Sequence, residues 1–319
     1  MNIVVNKAEV SQQILELKKK RNAIILAHYY QVDEVQEIAD FIGDSLALAQ
    51  EAEKTSADVI VFAGVHFMAE TAKIICPDKK VFLPDLNAGC SLADSCPPDE
   101  FEAFVKAHPN HTVVSYVNTT AKIKALSDII CTSSNAYEVV NSIPAGEKII
   151  FGPDRNLGDY IKSKTGRDMV IWNGHCHVHQ RFSLEKILAL KKENPDARII
   201  AHPECDKPVL IISDYIGSTA ALLKYTIQDN SNTYIVATES GILHQMRKEN
   251  PGKNFIPAPP NDSTCACNDC QFMKMIDLNK ILNSLKNDTY EINLEMDLME
   301  KARRPIMRML EISRNIKSK

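Results

Sequence analysis

Ala23-Ile-Ile-Leu-Ala-His28-Tyr-Tyr30, Thr112-Val-Val-Ser-Tyr116-Val-Asn118 and Arg198-Ile-Ile-Ala-His202-Pro-Glu204 are three versions of one pattern, a short apolar run that closes on polar side chains. A continuous apolar run bounded by polar turns and followed by helix-period sequence fits a parallel strand buried on both faces. His28, Tyr116 and His202 are spaced by 88 and 86 residues, and so are Tyr30, Asn118 and Glu204. The same steps carry Asp40-Phe-Ile-Gly-Asp-Ser45 to Asp128-Ile-Ile-Cys-Thr-Ser133 and on to Asp214-Tyr-Ile-Gly-Ser-Thr219.

Two more runs follow in each copy. The third is Asp58-Val-Ile-Val-Phe-Ala-Gly64, Lys148-Ile-Ile-Phe-Gly152 or Thr233-Tyr-Ile-Val-Ala-Thr238. The fourth is Val81-Phe-Leu-Pro84, Met169-Val-Ile-Trp172 or Phe255-Ile-Pro-Ala258. One gapless offset is expected to run through the first three strands and the helices between them. Amphipathic stretches at Val10–Lys19, Glu100–Ala107 and Leu184–Lys192 lead into the next first strand. Apolar strands alternating with helices predict the α/β class. The expected architecture is three homologous three-layer domains with four-stranded parallel sheets around a pseudo-threefold axis. Their expected spans are residues 1–108, 109–195 and 196–273. The tail, 274–319, is expected to form two helical stretches around Tyr290-Glu-Ile-Asn293 and to pack back on the first domain.

At 45% hydrophobic and 24% charged residues, the composition is that of a globular protein, and a net charge of -4 offers nothing to nucleic acid or an anionic membrane. No apolar run reaches the ~18–20 residues that span a bilayer. Met1 to Lys20 lacks the apolar core of a signal peptide, so a cytoplasmic location is expected.

Nine cysteines are an odd number, so they cannot all pair, and in such a chain metal binding, catalysis or core filling is the expected use. Cys90 and Cys176 each sit in the loop after a fourth strand, and the third such loop holds Cys265-Ala-Cys267-Asn-Asp-Cys270. Equivalent loops would bring Cys90, Cys176 and one cysteine of the last group to a common axis. Three thiolates suit zinc or an iron–sulfur cluster. Structural zinc wants a closed fourth ligand, whereas a cubane held by three cysteines leaves one iron open as a Lewis acid. Cys76, Cys131 and Cys205 read as core fillers and Cys96 as a loop residue.

Ligands of open parallel sheets bind at the carboxyl ends of the strands, where the aligned polar residues lie. Ser45, Ser133 and Thr219 close a second strand and open a helix. One such hydroxyl would be an ordinary N-cap worth about 1 kcal/mol. Three in register suggest three converging helix N-termini and an anionic ligand. Of His175, His177 and His179, one is expected in the site; His66 is a further candidate, and His108, His111 and His244 read as structural or exposed.

Ala27-His-Tyr-Tyr30, Asn87-Ala-Gly-Cys-Ser-Leu-Ala93, Trp172-Asn-Gly-His-Cys-His-Val-His179, Ala201-His-Pro-Glu204 and Cys270-Gln-Phe-Met-Lys274 closely resemble the quinolinate synthase family of bacterial NAD biosynthesis. The resemblance covers essentially the whole chain. It implies three homologous α/β domains around a central site and a 4Fe–4S cluster on three cysteines with one open iron. It also implies condensation of iminoaspartate with dihydroxyacetone phosphate to quinolinate, with loss of phosphate and two waters.

By motif, the implied ligands are Cys90, Cys176 and Cys270, the last because Met273 follows at the family's spacing; Cys265 and Cys267 receive no role. Ser45, Asn118, Ser133, His202, Ser218 and Thr219 would then hold carboxylates or phosphate, and Tyr116 would meet the forming ring. Glu204 would be the principal general base, with His28 and Tyr30 as partners and His179 near the phosphate or leaving group. Because iminoaspartate hydrolyses readily, a transient contact with the enzyme that produces it is conceivable. An iron–sulfur hydro-lyase acting on another di- or tricarboxylate shares the open-iron logic. A cluster-bearing redox sensor would need a nucleic-acid-binding element, and a radical S-adenosylmethionine enzyme a compact Cys-x3-Cys-x2-Cys run; neither is present.

Overall fold

The computed structural model describes residues 7–261 and 268–317. Its strands are β1 (Ala23–His28), β2 (Phe41–Gly43), β3 (Val59–Ala63), β4 (Lys80–Phe82), β5 (His111–Tyr116), β6 (Ile129–Cys131), β7 (Lys148–Gly152), β8 (Met169–Ile171), β9 (Arg198–Ala201), β10 (Tyr215–Ile216), β11 (Thr233–Ala237) and β12 (Asn254–Pro257). They form three four-stranded parallel sheets with the orders β2-β1-β3-β4, β6-β5-β7-β8 and β10-β9-β11-β12. One topology occurs three times, consistent with three repeated α/β domains.

The ladders carry the offsets read from the sequence. Leu26 pairs with Phe41, Val114 with Ile129 and Ile200 with Tyr215, so both strands of the pair step by 88 and then 86. The gapless offset stops there. Ile24 pairs with Ile60, Thr112 with Ile149 and Arg198 with Tyr234, so the third strand steps by 89 and then 85. The second copy carries one extra residue between its second and third strands, and a connection outside the ladder absorbs it without disturbing the register.

Asp40, Asp128 and Asp214 keep this register for a physical reason. Each carboxylate accepts the backbone N–H of a first-strand residue, Ile25 at 2.7 Å, Val113 at 2.8 Å and Ile199 at 2.8 Å. Each aspartate N–H donates in return to that residue's carbonyl, at 3.0, 2.9 and 2.8 Å. The side chain thus extends the ladder beyond the short second strand and satisfies a donor that would otherwise lose its partner.

Helices cover both faces of the sheets, which is why β3 is buried along its whole length. One apolar core runs from Ile14 and Phe62 through Phe151 to Tyr234 and Leu310, and a smaller one around Phe182, Ile199 and Ile235 serves the third sheet. Cys76, Cys131 and Cys205 are buried as expected; Cys96 is a loop residue, yet it too is buried, beside Phe101.

In the tail, helix 278–287 lies on helix 7–20 and β3. Backbone bonds from Leu83 N–H to Tyr290 (3.1 Å) and from Ile292 N–H to Val81 (2.8 Å) then cover the free edge of β4, which blunts it against pairing with another chain. Helix 296–317 lies over helix 66–75 of the first copy and over helix 121–125 and β6 of the second, so the tail meets two copies. Among the described residues no helix is long and apolar enough to cross a membrane. Cys265 and Cys267 lie outside the described residues.

Candidate active site

The carboxyl ends of all three sheets open on one cavity, with about 660 Å³ of empty space that includes its solvent-facing mouth. His28, Tyr116 and His202 reach it from the ends of the first strands, Ser45, Ser133 and Thr219 from the ends of the second, and Cys90 and Cys176 from the loops after the fourth. Cys270, Tyr30, Asn118, His179 and Glu204 complete the expected set on its wall.

Ser218 is the exception. It caps helix 219–228, accepting the Ala221 N–H at 3.3 Å, and is not on the wall. Asp44 caps helix 45–54 in the same way, accepting from Ala47 at 3.0 Å. The capping residues therefore precede the aligned hydroxyls by one position, which leaves Ser45 and Thr219 free to face the cavity. In the second copy, the turn at 132–135 intervenes and the helix starts only at Ala136. Of the three aligned helix N-termini, two reach the wall. Behind them Ser134 Oγ lies 2.5 Å from Asp44 Oδ2 and 2.7 Å from Ser218 Oγ, a hydrogen-bonded chain through all three copies.

Beside these hydroxyls lies a buried acid–base group. The Tyr116 hydroxyl donates to Glu204 Oε1 at 2.5 Å, and Glu204 Oε2 lies 3.1 Å from His179 Nδ1. His179 stacks on His202 with ring centres 4.7 Å apart, and its Nε2 is 3.0 Å from Thr238 Oγ1. The Tyr30 hydroxyl bonds both Thr238 (2.7 Å) and Thr219 (2.9 Å). His202 Nε2 meets Ser133 Oγ at 3.1 Å. Burial pushes His28 and His202 down to about 3, so both rings are neutral near pH 7. Burial works against the Glu204 charge, yet His179 and His202, with smaller help from the Tyr116 hydrogen bond, outweigh it and hold the carboxyl at about 2. The Asn118 side-chain oxygen is buried with no partner of its own.

Two of the three neighbouring histidines reach the wall, against an expectation of one. His177 joins His179 and bonds Ser91 Oγ at 2.5 Å, while His175 is exposed. The chain is not an extended strand here: it turns at 177–178 and enters a short helix at 179–181, so strand alternation does not set where these side chains point. His66 faces its helix neighbour Glu70 and is not on the wall. Asp44, Thr132, Thr238 and Glu239 went unread in the sequence. Asp44 and Thr132 stand one position before the aligned serines, so the repeat could have found them; Thr238 and Glu239 carry no motif.

The three cysteines come from loops at the carboxyl ends of three different sheets. Burial, with smaller effects from neighbouring thiols and carboxylates, pushes Cys90 up to about 12, Cys270 up to about 11 and Cys176 well above the usual thiol range. Bare thiols here are neutral, and a soft cation that displaces their protons removes that penalty. Three soft donors, with no fourth cysteine on the wall among the described residues, fit an iron–sulfur centre. Cys176 Sγ, His179 Nδ1 and a Glu204 oxygen also lie within 4.8 Å of one another, so the thiols adjoin the acid–base group.

The model of the quinolinate synthetase A protein family matches residues 12–311. The chain belongs to the quinolinate synthetase A family. It is 61% identical over 300 residues to the quinolinate synthase of Nostoc punctiforme, covering 94% of this chain and 92% of that one. To the quinolinate synthase of Chloroherpeton thalassium it is 54% identical, covering 97% and 96%. The quinolinate synthase of Microcystis aeruginosa is 59% identical, with 94% of each chain covered. A quinolinate synthase is an enzyme of NAD biosynthesis, and an iron–sulfur cofactor follows from this family. Membership decides against the hydro-lyase reading, which the residues alone had left as a competitor.

Proposed function

We propose that this cavity condenses iminoaspartate with dihydroxyacetone phosphate to form quinolinate, releasing one phosphate and two waters. The observation that carries this reading is the meeting, in one cavity, of three cysteines with the Tyr116–Glu204–His179 chain and a row of hydroxyls. Cys90, Cys176 and Cys270 would hold a 4Fe–4S cluster, leaving one iron without a protein ligand. When bound, the cluster supplies a Lewis acid for loss of water.

The chain's own side chains bind and move protons. Ser45, Ser133 and Thr219 offer hydroxyls, and Asn118 an unpaired amide oxygen, to polar groups of the substrates; the start of helix 45–54 favours an anion. Ser218 supports that wall from behind through Ser134. His202 is neutral and orients the Ser133 hydroxyl. Both condensation and dehydration need a proton removed from carbon and one delivered to a leaving oxygen. Glu204 is the proposed base. The Tyr116 hydroxyl holds one of its oxygens and His179 Nδ1, at 3.1 Å, faces the other. His179 then serves the leaving group, while His28 and Tyr30 border the same wall. Burial excludes water from a substrate that hydrolyses readily. A transient contact with the enzyme that makes iminoaspartate would have the same effect, and coupled flux that resists a trap for free iminoaspartate would reveal it.

Anaerobic purification with iron and sulfide analysis, followed by assay with dihydroxyacetone phosphate and freshly generated iminoaspartate, tests the reading. The expected result is a loaded protein that forms quinolinate. A loaded, folded protein that forms none overturns it.

A further inference from the structure

Glu239 is completely buried just beyond β11, and no part of the proposed chemistry uses it. Its Oε1 accepts the Cys270 N–H at 3.1 Å and pairs with Lys274 Nζ at 2.8 Å, while Oε2 accepts the Gly241 N–H at 2.7 Å. The Lys274 ammonium also donates to the Tyr30 carbonyl at 2.7 Å. Gly241 lies so close to the Tyr30 backbone that a Cβ there would stand 2.7 Å from its carbonyl carbon. One residue before Glu239, Thr238 bonds both the Tyr30 hydroxyl and His179. The segment 238–241 thus touches the Cys270 loop, the backbone and phenol of Tyr30, and His179.

The second copy repeats part of this device. Asp154 stands beyond β7 as Glu239 stands beyond β11, by the 85-residue step that relates the two strands (239 − 154, as 234 − 149). It too is a fully buried acid, but it caps helix 155–165, its Oδ1 accepting the Leu157 N–H at 2.7 Å. A buried acid thus stands at the same place in two copies. Only in the third does it bond a cysteine N–H and a lysine that continues to Tyr30.

We propose that Glu239 is a positioning residue that fixes the Cys270 loop and, through Lys274, couples it to the placement of Tyr30. A cysteine ligand is only as well placed as its loop, and partners behind a ligand commonly alter metal retention or activity by about 10–100-fold. A carboxylate bonded to the backbone N–H of the ligand residue sets the loop without competing for the metal. The inference rests on Cys270 being a cofactor ligand.

The test compares anaerobically prepared wild-type protein with Glu239→Gln and with the double variant Glu239→Gln/Lys274→Met, which leaves no unpaired buried charge. Iron loss to a ferrous chelator should accelerate about 10-fold or more in Glu239→Gln. Hydrogen exchange should quicken in peptides spanning 268–274 and 28–31 and stay unchanged in the other repeat interfaces. kcat should fall with little change in KM. If Glu239→Gln does not fold, the double variant carries the same expectations. Wild-type iron retention and wild-type exchange at 268–274 in a folded variant overturn the proposal, and so does exchange that rises uniformly through the chain. Full iron retention by Cys270→Ser instead overturns the ligand assignment, whatever Glu239 does.

Discussion

Tyr116 of the second copy and Glu204 of the third are 88 residues apart in the chain, and their side chains meet at 2.5 Å with the phenol donating. The bond crosses between two sheets, and Glu204 is pinned on its other oxygen by His179. Glu204→Gln should keep its iron and lose about 100-fold or more in kcat, the usual scale of a lost acid–base group. Tyr116→Phe should fall in the same direction by a smaller factor. Quinolinate yield in single-turnover assays, set against iron content, reads both, and near-normal turnover in loaded Glu204→Gln would remove it as the base.

Cys90→Ser, Cys176→Ser and Cys270→Ser should each abolish stable iron binding, since each removes one of the three cysteines on the wall among the described residues. Cys131→Ser should hold iron normally. It places a hydroxyl in an apolar, fully buried position and should lower stability by roughly 1–3 kcal/mol. Cys265→Ser and Cys267→Ser are expected to keep the cluster. Iron and sulfide analysis with urea unfolding separates these outcomes.

Asp128→Ala leaves the Val113 N–H without its acceptor beyond the second strand. About 1 kcal/mol of stability should be lost, because the site is partly open and water replaces part of the bond. A urea midpoint equal to that of the wild type would show that Asp128 does not support the ladder.

Lys124 is completely buried, its ammonium bonded to the Thr119 carbonyl and 5.4 Å from the Phe67 ring centre. Burial takes it from its ordinary 10.5 down to about 8. Between those values the unfolded chain binds more protons than the folded one, so stability rises with pH across that window. The penalty is fully present below pH 8. Relative to Lys124→Met, the wild type should gain roughly 3 kcal/mol between about pH 7.5 and 10.5. Urea midpoints of the two proteins along that range measure the difference, and parallel curves would show that the folded-state lysine titrates normally.

The repeat was legible because a parallel strand leaves a local mark, an apolar run closing on polar residues, and the offset multiplies that mark by three. Asp40, Asp128 and Asp214 stood out as aligned residues, although their function in extending the ladder did not. The cap positions were misjudged for a local reason. Asp44 and Ser45 are both good caps, as are Ser218 and Thr219, and only the entry angle of each strand decides which one bonds the helix and which one faces the cavity.

Sequence alone determined the three four-stranded parallel sheets and most of the residues at their carboxyl ends, because the apolar run and its polar close repeat within a few residues. The family followed from the same motifs. Tertiary structure alone decided which end residues meet: Tyr116 with Glu204, Ser134 with Asp44 and Ser218, Glu239 with Cys270. Those meetings depend on how three sheets and the tail pack against one another. That placement is a sum of many weak apolar contacts over distant parts of the chain, so no single stretch of residues carries its signature.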